Sequence, residues 1–451
     1  MKKVKRRAYS ILGLVLAICV FMTIFLFRLA ADGEAWATFP TNQNIFRDGN
    51  LAVGAVHDRN DTPLVTPGER GLDFHPNATI RRATLHVVGD RRGRIGTGAL
   101  VAYARQIVGY NLLTGTYSFS GEGNTVRLTI DAELHRVAYE ALAGRRGAVV
   151  VMNYETGEIL TLVSTPTYDP MNPPQFAPDD PNFEGVYLNR GLSAAIVPGS
   201  IFKIVTAAAA MDTFADALTR EYVCNGFVMV DGNRVTCLGN HGRINMTRAM
   251  GYSCNPFFAQ LALDLGGPLL RQYAERFGLL SSHNLDGIQT VPGNFVAADW
   301  DTAALAWSGV GQSEVLINPL SMTRFLGAIA RGGTPVEPRL LESISGGLPF
   351  GGPRTRTGDS VLPPSVANPL RDLLRQTGID FYAGTFPGLA VAGKTGTAEV
   401  GEGRRPHAWF AGFLDDPDHP LAFVVVVENS GFGLTVAGAV ANTVLQAAVR
   451  R

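Results

Sequence analysis

Lysine is scarce in this sequence. After the first five residues it occurs only as Lys203 and Lys394, and arginine fills the other strongly basic positions. Arginine keeps its proton inside proteins, whereas a buried lysine can lose its proton and then act as a base. Since arginine serves wherever a plain positive charge is enough, the two retained lysines are the first candidates for chemistry.

Net charge and metal-binding patterns are also missing. The 451 residues carry a formal net charge of zero and the pI is about 7.1. This balance argues against the basic surface of a nucleic-acid-binding protein. The eight histidines show no ligand spacing, so we expect no metal site and no other cofactor.

Only four cysteines are present. Cys19 lies in an apolar run and Cys254 inside a short motif described below, which leaves Cys224 and Cys237 as a candidate disulfide. Such a bridge closes a short loop and would stabilise the fold by roughly 3 kcal/mol. Two unpaired thiols are an equally good interpretation of the same spacing.

An apolar run with a basic flank opens the chain. Residues 11–27 are apolar apart from Thr23, and five of the first seven residues are basic. We predict a cytoplasmic tail at residues 1–10, a single-pass anchor in the cell membrane at residues 11–30, and the remainder on the extracytoplasmic side. The alternative is a cleaved signal peptide, because residues 35–37 (Ala-Trp-Ala) loosely fit a cleavage site.

The order of predicted elements indicates an α+β fold. Residues 148–163 are typical of a β-hairpin, and the stretch 201–325 has a helical pattern. Three strands are predicted at residues 389–400, 407–414 and 422–428, followed by a closing helix. A hairpin, a helical block, strands and a terminal helix together form a domain with a mainly antiparallel sheet.

Each of the two lysines belongs to a short motif, and the first motif pairs an amine with a hydroxyl. Ser200 precedes Lys203 by three residues at the start of a predicted helix, so both share one helix face. A serine needs an adjacent base to attack a carbonyl. Desolvation and the nearby Lys394 ammonium would lower the pKa of Lys203 and make it such a base. We predict Ser200 as the nucleophile and Lys203 as the acylation base.

The second motif is Ser253-Cys254-Asn255, which suits a loop between helices. The hydroxyl of Ser253 can pass a proton to a leaving amine, and the amide of Asn255 can hold a substrate amide. On its own this triplet occurs by chance in any chain of this size.

The third motif, Lys394-Thr395-Gly396, lies on a predicted strand. The Lys394 ammonium and the Thr395 hydroxyl can bind a substrate carboxylate, while Gly396 leaves room for a peptide along the strand. The backbone N–H groups of Thr397 and Ser200 are predicted to form an oxyanion hole.

Residues 388–395 also match G-x-x-x-x-G-K-T, the phosphate loop of nucleotide hydrolases. A phosphate loop needs a strand before its first glycine and a helix directly after its threonine. Here the apolar strand lies inside the supposed loop, which argues against a nucleotide site.

The three motifs in this order, S-x-x-K, S-x-N and K-T-G, resemble those of the class B, monofunctional penicillin-binding proteins. Other stretches over most of the chain are similar to the same family: residues 128–131, 148–157, 166–170, 237–242, 311–312, 318–320 and 408–413. The chain departs from the family at Ser313, where glycine is frequent, and at Ile201, where threonine is frequent. Neither change touches the residues predicted to do the chemistry.

The resemblance implies an architecture. After the transmembrane helix comes a β-rich, dimerisation-like pedestal domain at residues 31–145, and then the transpeptidase domain at residues 146–451. The latter is an antiparallel sheet flanked by helices, with an added helical subdomain.

The resemblance also implies a function, a peptidoglycan D,D-transpeptidase for cell-wall synthesis in elongation or division. Ser200 would attack the D-alanyl-D-alanine end of a stem peptide, and the acyl-enzyme would pass to an amine of a neighbouring stem. β-Lactams would trap Ser200, no metal is required, and the expected protein partner is a membrane-embedded SEDS-type glycan polymerase.

Two alternatives stay open at this point. A β-lactamase or penicillin sensor shares all three motifs and differs in whether water releases the acyl-enzyme. A non-enzymatic scaffold that activates a glycan polymerase would need the fold but not an intact Ser200.

Overall fold

The computed structural model describes residues 2–37, 54–68, 71–108, 123–175, 177, 180–296, 302–345, 354–401 and 403–451. Its first element, α1 (Lys2–Ala37), contains the predicted anchor. Among the described residues, this is the one helix long and apolar enough to cross a membrane, with a mean hydropathy of 2.8.

A five-stranded antiparallel sheet forms the centre of the larger domain. Its strands lie in the order β12-β13-β14-β5-β6, with bounds β5 (Gly147–Asn153), β6 (Ile159–Thr165), β12 (Val391–Ala398), β13 (His407–Leu414) and β14 (Leu421–Val427). Every residue of β14 is buried because helices cover both faces of the sheet. The strand is therefore a continuous apolar run rather than an alternating one.

Helices pack on the sheet in two layers. Val150, Val424 and Val426 point into the larger core, while Val149 and Val425 point into a second core on the opposite face. The larger core is completed by α7 (Lys203–Thr213), α9 (Asn255–Leu265), α12 (Pro319–Ala330) and α13 (Pro364–Thr377). The second is completed by α5 (Ala132–Leu142) and α14 (Ala439–Ala448).

The remaining helices are short or peripheral: α2 (Ala78–Val88), α3 (Ala99–Ala102), α4 (Ala104–Val108), α6 (Arg190–Ser193), α8 (Met246–Gly251), α10 (Gly267–Arg276) and α11 (Thr302–Gly309). Within the described residues, four tighter or wider helical turns accompany them: 3-10 turns at Pro181–Phe183 and Gly199–Phe202, and π-type turns at Gly378–Tyr382 and Leu434–Gly438.

A second five-stranded sheet lies mostly in the range predicted as the pedestal, with the strand order β11-β4-β1-β2-β3. Its strands are β1 (Ala55–His57), β2 (Pro63–Gly68), β3 (Gly71–Phe74), β4 (Thr125–Leu128) and β11 (Leu341–Ile344). β11 comes from the range assigned to the transpeptidase domain, and α5 from the pedestal range packs on the transpeptidase sheet. Elements from the two sides of the boundary predicted at residue 145 therefore pack together. Residues 38–53, 69–70 and 109–122 of the predicted pedestal lie outside the described residues.

One prediction about the middle of the chain was incomplete. The stretch 201–325, predicted as helical, contains a long hairpin of β7 (Glu221–Val230) and β8 (Asn233–Asn245). A small ribbon of β9 (Asn284–Leu285) and β10 (Ile288–Gln289) also interrupts the helices. The β7–β8 hairpin packs against α9 and lies beside the candidate site.

Candidate active site

Ser200 lies in the 3-10 turn that leads directly into α7, as predicted from the sequence. The turn is held close to β12: Gly199 has φ of +57°, and a Cβ there would lie 2.8 Å from the Thr397 carbonyl oxygen. Only glycine tolerates both that conformation and that approach. The indole N–H of Trp409 donates to the Val197 carbonyl at 2.9 Å and fixes the chain just before the turn.

Lys203 begins α7 and its side chain is fully buried. Its amine donates to Asn255 Oδ1 at 2.7 Å, to the Ser253 carbonyl at 2.7 Å and to Ser253 Oγ at 3.1 Å. Burial lowers the pKa of Lys203 to about 7, while the nearby Cys254 and Cys237 partly oppose this shift. A large fraction of the amine is therefore neutral near physiological pH, as a general base requires.

Ser253 lies in the turn between α8 and α9, and Asn255 is the first residue of α9. Because both contact the Lys203 amine, the structure brings the first two motifs together. Ser253 has φ of +55°, a left-handed conformation that is uncommon for serine. Asn255 faces two ways: its Oδ1 accepts from Lys203, and its Nδ2 donates to the Thr236 carbonyl of β8 at 2.8 Å.

The third motif lies on β12, the edge strand of the central sheet. Lys394 is fully buried, and its amine donates to the carbonyl of Thr395 at 3.1 Å and to Thr395 Oγ1 at 3.3 Å. Burial, and then the charge of Lys203, lower the pKa of Lys394 well below its ordinary value. The sequence predicted that the charge of Lys394 would lower the pKa of Lys203. In the structure this repulsion lowers the pKa of Lys394, and burial lowers the pKa of Lys203.

The free edge of β12 presents backbone groups to the site. The N–H of Thr395 points away from β13, because it donates to the Tyr382 hydroxyl at 3.3 Å. Bonding direction alternates along an antiparallel strand, so the N–H of Thr397 points to the same free edge. Gly396 is closely packed, since a Cβ there would lie 2.8 Å from the Pro198 carbonyl oxygen and 2.9 Å from Trp409 Cβ. The Ser200 turn and the end of β12 thus lie in contact.

The phosphate-loop alternative does not fit this geometry. Lys394 and Thr395 lie inside β12, and the strand continues to Ala398 with no helix after the threonine.

In the described part of the chain, no hydrogen bond joins the Lys203 amine to the Ser200 hydroxyl. The amine is instead held by Ser253 and Asn255, one helical turn from Ser200.

Comparison with known proteins identifies the family of the larger domain. Residues 147–446 match the model of the penicillin binding protein transpeptidase domain. The chain belongs to the penicillin-binding protein transpeptidase family. The resemblance seen in the three motifs is thereby confirmed, and so is the predicted α+β transpeptidase fold.

Members of the family are similar to the chain over most of its length. Peptidoglycan D,D-transpeptidase PbpA of Mycolicibacterium smegmatis is 31% identical over 355 residues, which cover 70% of each chain. The structure of penicillin-binding protein A from M. tuberculosis as a ceftriaxone acyl-enzyme complex gives a TM-score of 0.77 at 26% identity and covers 90% of this chain and 100% of that one. The D,D-transpeptidase domain of a peptidoglycan glycosyltransferase from Eggerthella lenta gives 0.76 at 26% identity, covering 89% and 99%.

A cluster of cysteines lies beside the candidate site, and its thiols agree with the unpaired alternative. Cys224 and Cys237, the candidate disulfide, are free thiols in the structure. Together with Cys254 and His241 they form a group whose ligand atoms all lie within 4.8 Å of one another, an arrangement able to hold a metal ion. The sequence pattern does not reveal this group, because its members come from separate segments and Cys254 lies within the S-x-N motif. The Cys237-x-x-x-His241 spacing was the available signal.

Proposed function

We propose that the chain is a peptidoglycan D,D-transpeptidase that acts through an acyl-enzyme on Ser200. The observation that carries the proposal is the environment of Lys203. Its amine is fully buried, has its pKa lowered to about 7, and lies one helical turn from Ser200 in contact with the Ser253 hydroxyl. A buried amine that is partly neutral near pH 7, contacts the Ser253 hydroxyl and lies one helical turn from Ser200 is suited to moving protons during acyl transfer.

In the acylation step, the neutral amine of Lys203 accepts the proton of the Ser200 hydroxyl as Oγ attacks the carbonyl of the penultimate D-alanine. The oxyanion would lie against the N–H groups of Ser200 and Thr397, which belong to two segments in close contact. The proton then passes through Ser253 Oγ, 3.1 Å from the amine, to the nitrogen of the departing D-alanine.

In the second step the direction of proton transfer reverses. An amine of a neighbouring stem peptide attacks the ester carbonyl, loses its proton toward Ser253 and Lys203, and forms the crosslinking amide as Ser200 leaves with a proton. The same groups serve both steps, as microscopic reversibility requires, and β-lactams acylate Ser200 by the first step alone.

Substrate binding uses the edge of β12. An extended peptide can add to the free edge of this strand through backbone hydrogen bonds. The terminal carboxylate of the substrate would lie against the amine of Lys394 and the hydroxyl of Thr395. That carboxylate replaces the water lost on burial and restores the charge of Lys394. Asn255 would bind an amide of the stem peptide.

The placement in the cell follows from α1. Five basic residues among the first seven are expected to stay in the cytoplasm, so the catalytic domain would lie outside the cell membrane, where peptidoglycan is found. We also propose a SEDS-type glycan polymerase of the same membrane as its protein partner. Protease treatment of intact spheroplasts should degrade the catalytic domain; survival of that domain would contradict this orientation.

The test of the proposed activity follows the fate of the acyl group. Full-length protein in detergent is incubated with a stem peptide ending in D-alanyl-D-alanine and with an amine acceptor, and both D-alanine and the amide product are quantified. Release of D-alanine with formation of the amide supports the proposal, and Ser200→Ala should abolish both. Release of D-alanine without transfer would mean hydrolysis and contradict a transpeptidase, as would full activity of Ser200→Ala.

A further inference from the structure

Three thiols and one imidazole converge next to Lys203. Cys224 comes from β7, Cys237 and His241 come from β8, and Cys254 lies in the S-x-N turn. Cys224 and Cys254 are buried, and the other two are half-buried. Three separate segments of the chain therefore contribute one ligand set.

The distances fit a tetrahedral ion. Both the Cys224 and the Cys237 sulfur lie 3.6 Å from His241 Nδ1. With zinc–sulfur and zinc–nitrogen bonds of about 2.3 Å and 2.1 Å, the S···N edge of a zinc tetrahedron is about 3.6 Å. The widest separation in the group, up to 4.8 Å, exceeds the ideal S···S edge of about 3.8 Å by only about 1 Å. A small movement of one side chain completes the tetrahedron.

The surroundings hold the sulfurs and the imidazole in fixed positions. The backbone N–H groups of Gly239 and Asn255 donate to the Cys237 sulfur, and that of Phe257 donates to the Cys254 sulfur. The His241 ring stacks on Tyr252, with ring centroids 5.0 Å apart and an interplanar angle of 18°. Hydrogen bonds to the sulfurs and a packed imidazole are the usual support of a structural metal site.

A disulfide accounts for the group less well. Any one bridge would use two of the thiols and leave the third beside the imidazole without a role. Three sulfur donors and one nitrogen donor match the closed Cys3His sets of structural zinc, and soft sulfur ligands select against magnesium or calcium.

The ligand group is joined to the catalytic residues through two short connections. Cys254 separates Ser253 and Asn255, the two residues that hold the Lys203 amine. Cys237 follows Thr236, whose carbonyl accepts the amide of Asn255 at 2.8 Å. An ion bound to both cysteines would tie β8 to the turn that carries Ser253 in its left-handed conformation.

We propose that Cys224, Cys237, His241 and Cys254 bind one zinc ion in a closed tetrahedral site, which positions Ser253 and Asn255 around Lys203. The four protein ligands leave no open position, so the ion takes no part in the chemistry. The zinc site stands on geometry alone, whereas its effect on acylation rests on the function proposed above.

The first experiment measures metal content. Full-length protein is purified in detergent from cells supplied with zinc, and zinc per chain is determined by elemental mass spectrometry. The wild type and Cys19→Ser, a matched control at the remaining cysteine, should hold about one zinc each, and Cys237→Ser and His241→Ala less than about 0.1. A wild type without zinc, zinc retained by both variants, or an intact mass showing a disulfide would overturn the site.

A second experiment avoids variants that fail to fold. Wild-type protein is stripped with a chelator and refilled with Co²⁺, which should give intense thiolate-to-cobalt absorption and the spectrum of a tetrahedral ion. Absence of these bands from protein that stays folded by circular dichroism would also overturn the site.

The third experiment separates the metal site from its proposed effect. Stripping should slow acylation by fluorescent penicillin about tenfold, and zinc should restore the rate. An unchanged rate in stripped protein would refute the positioning role. Ser200→Ala should hold zinc but take no label. Labelling of Ser200→Ala would refute the proposed function and leave the zinc site intact. Wild-type protein that takes the label on Ser200 but holds no zinc would refute the zinc site and leave the proposed function intact.

Discussion

The rate at which Ser200 is acylated should depend on pH through the proton on Lys203. Burial lowers the pKa of this amine to about 7, and only the neutral form can accept a proton. The neutral fraction is then about 1% at pH 5 and about 90% at pH 8. We expect the second-order rate constant for benzylpenicillin to rise about 90-fold over this interval, tenfold per pH unit at first and levelling above pH of about 7.

The assay is stopped-flow or quenched labelling of the full-length protein, with thermal unfolding at each pH to show that the fold is intact. Lys203→Arg is the matched variant, because arginine keeps the charge and cannot lose its proton. It should be acylated at less than about 1% of the wild-type rate, with no rise between pH 5 and 8. A flat wild-type profile, or a midpoint near the ordinary lysine value, would refute the role given to Lys203.

Two further substitutions test packing around the site. Gly396→Val would place side-chain atoms against the Pro198 carbonyl and should slow acylation about tenfold or more, whereas Gly384→Ala, where a Cβ meets nothing within 4 Å, should match the wild type. Equal rates would contradict the close contact. The Arg190 side chain is only 4% exposed and pairs with Glu428 at 2.6 Å. Glu428→Gln should lower the free energy of unfolding by about 3 kcal/mol, because the buried Arg190 would lose its countercharge. Calorimetry without such a loss would show that the pair contributes little.

The sheet of the larger domain could be predicted because its strands are continuous apolar runs. β13 and β14 lie within a residue of their predicted bounds, and β5 and β6 form the hairpin predicted at residues 148–163. The hairpin of β7 and β8 could not be predicted in the same way, since its residues are mostly exposed or half-exposed and lack a clean two-residue alternation. Its position depends on packing against α9, which local sequence does not encode.

The candidate site could likewise be predicted from the sequence only in part. The order of the motifs predicted which residues would lie near each other. In the structure Ser200 lies one helical turn from Lys203, and the Lys203 amine contacts Ser253 and Asn255. The contacts that organise them come from distant segments, such as the Thr236 carbonyl on Asn255. Because such contacts arise only when the chain folds, spacing within a motif could not reveal them, nor the metal-ligand set that shares Cys254.

The most direct test of the central claim is the intact mass of the protein after exposure to benzylpenicillin, beside Ser200→Ala. The account predicts one drug mass added per chain, located on Ser200 by peptide mapping, lasting for hours and absent from the variant. An adduct that disappears rapidly as the drug is hydrolysed would indicate a β-lactamase. No adduct on folded protein, or an adduct retained in Ser200→Ala, would contradict acyl transfer through this serine.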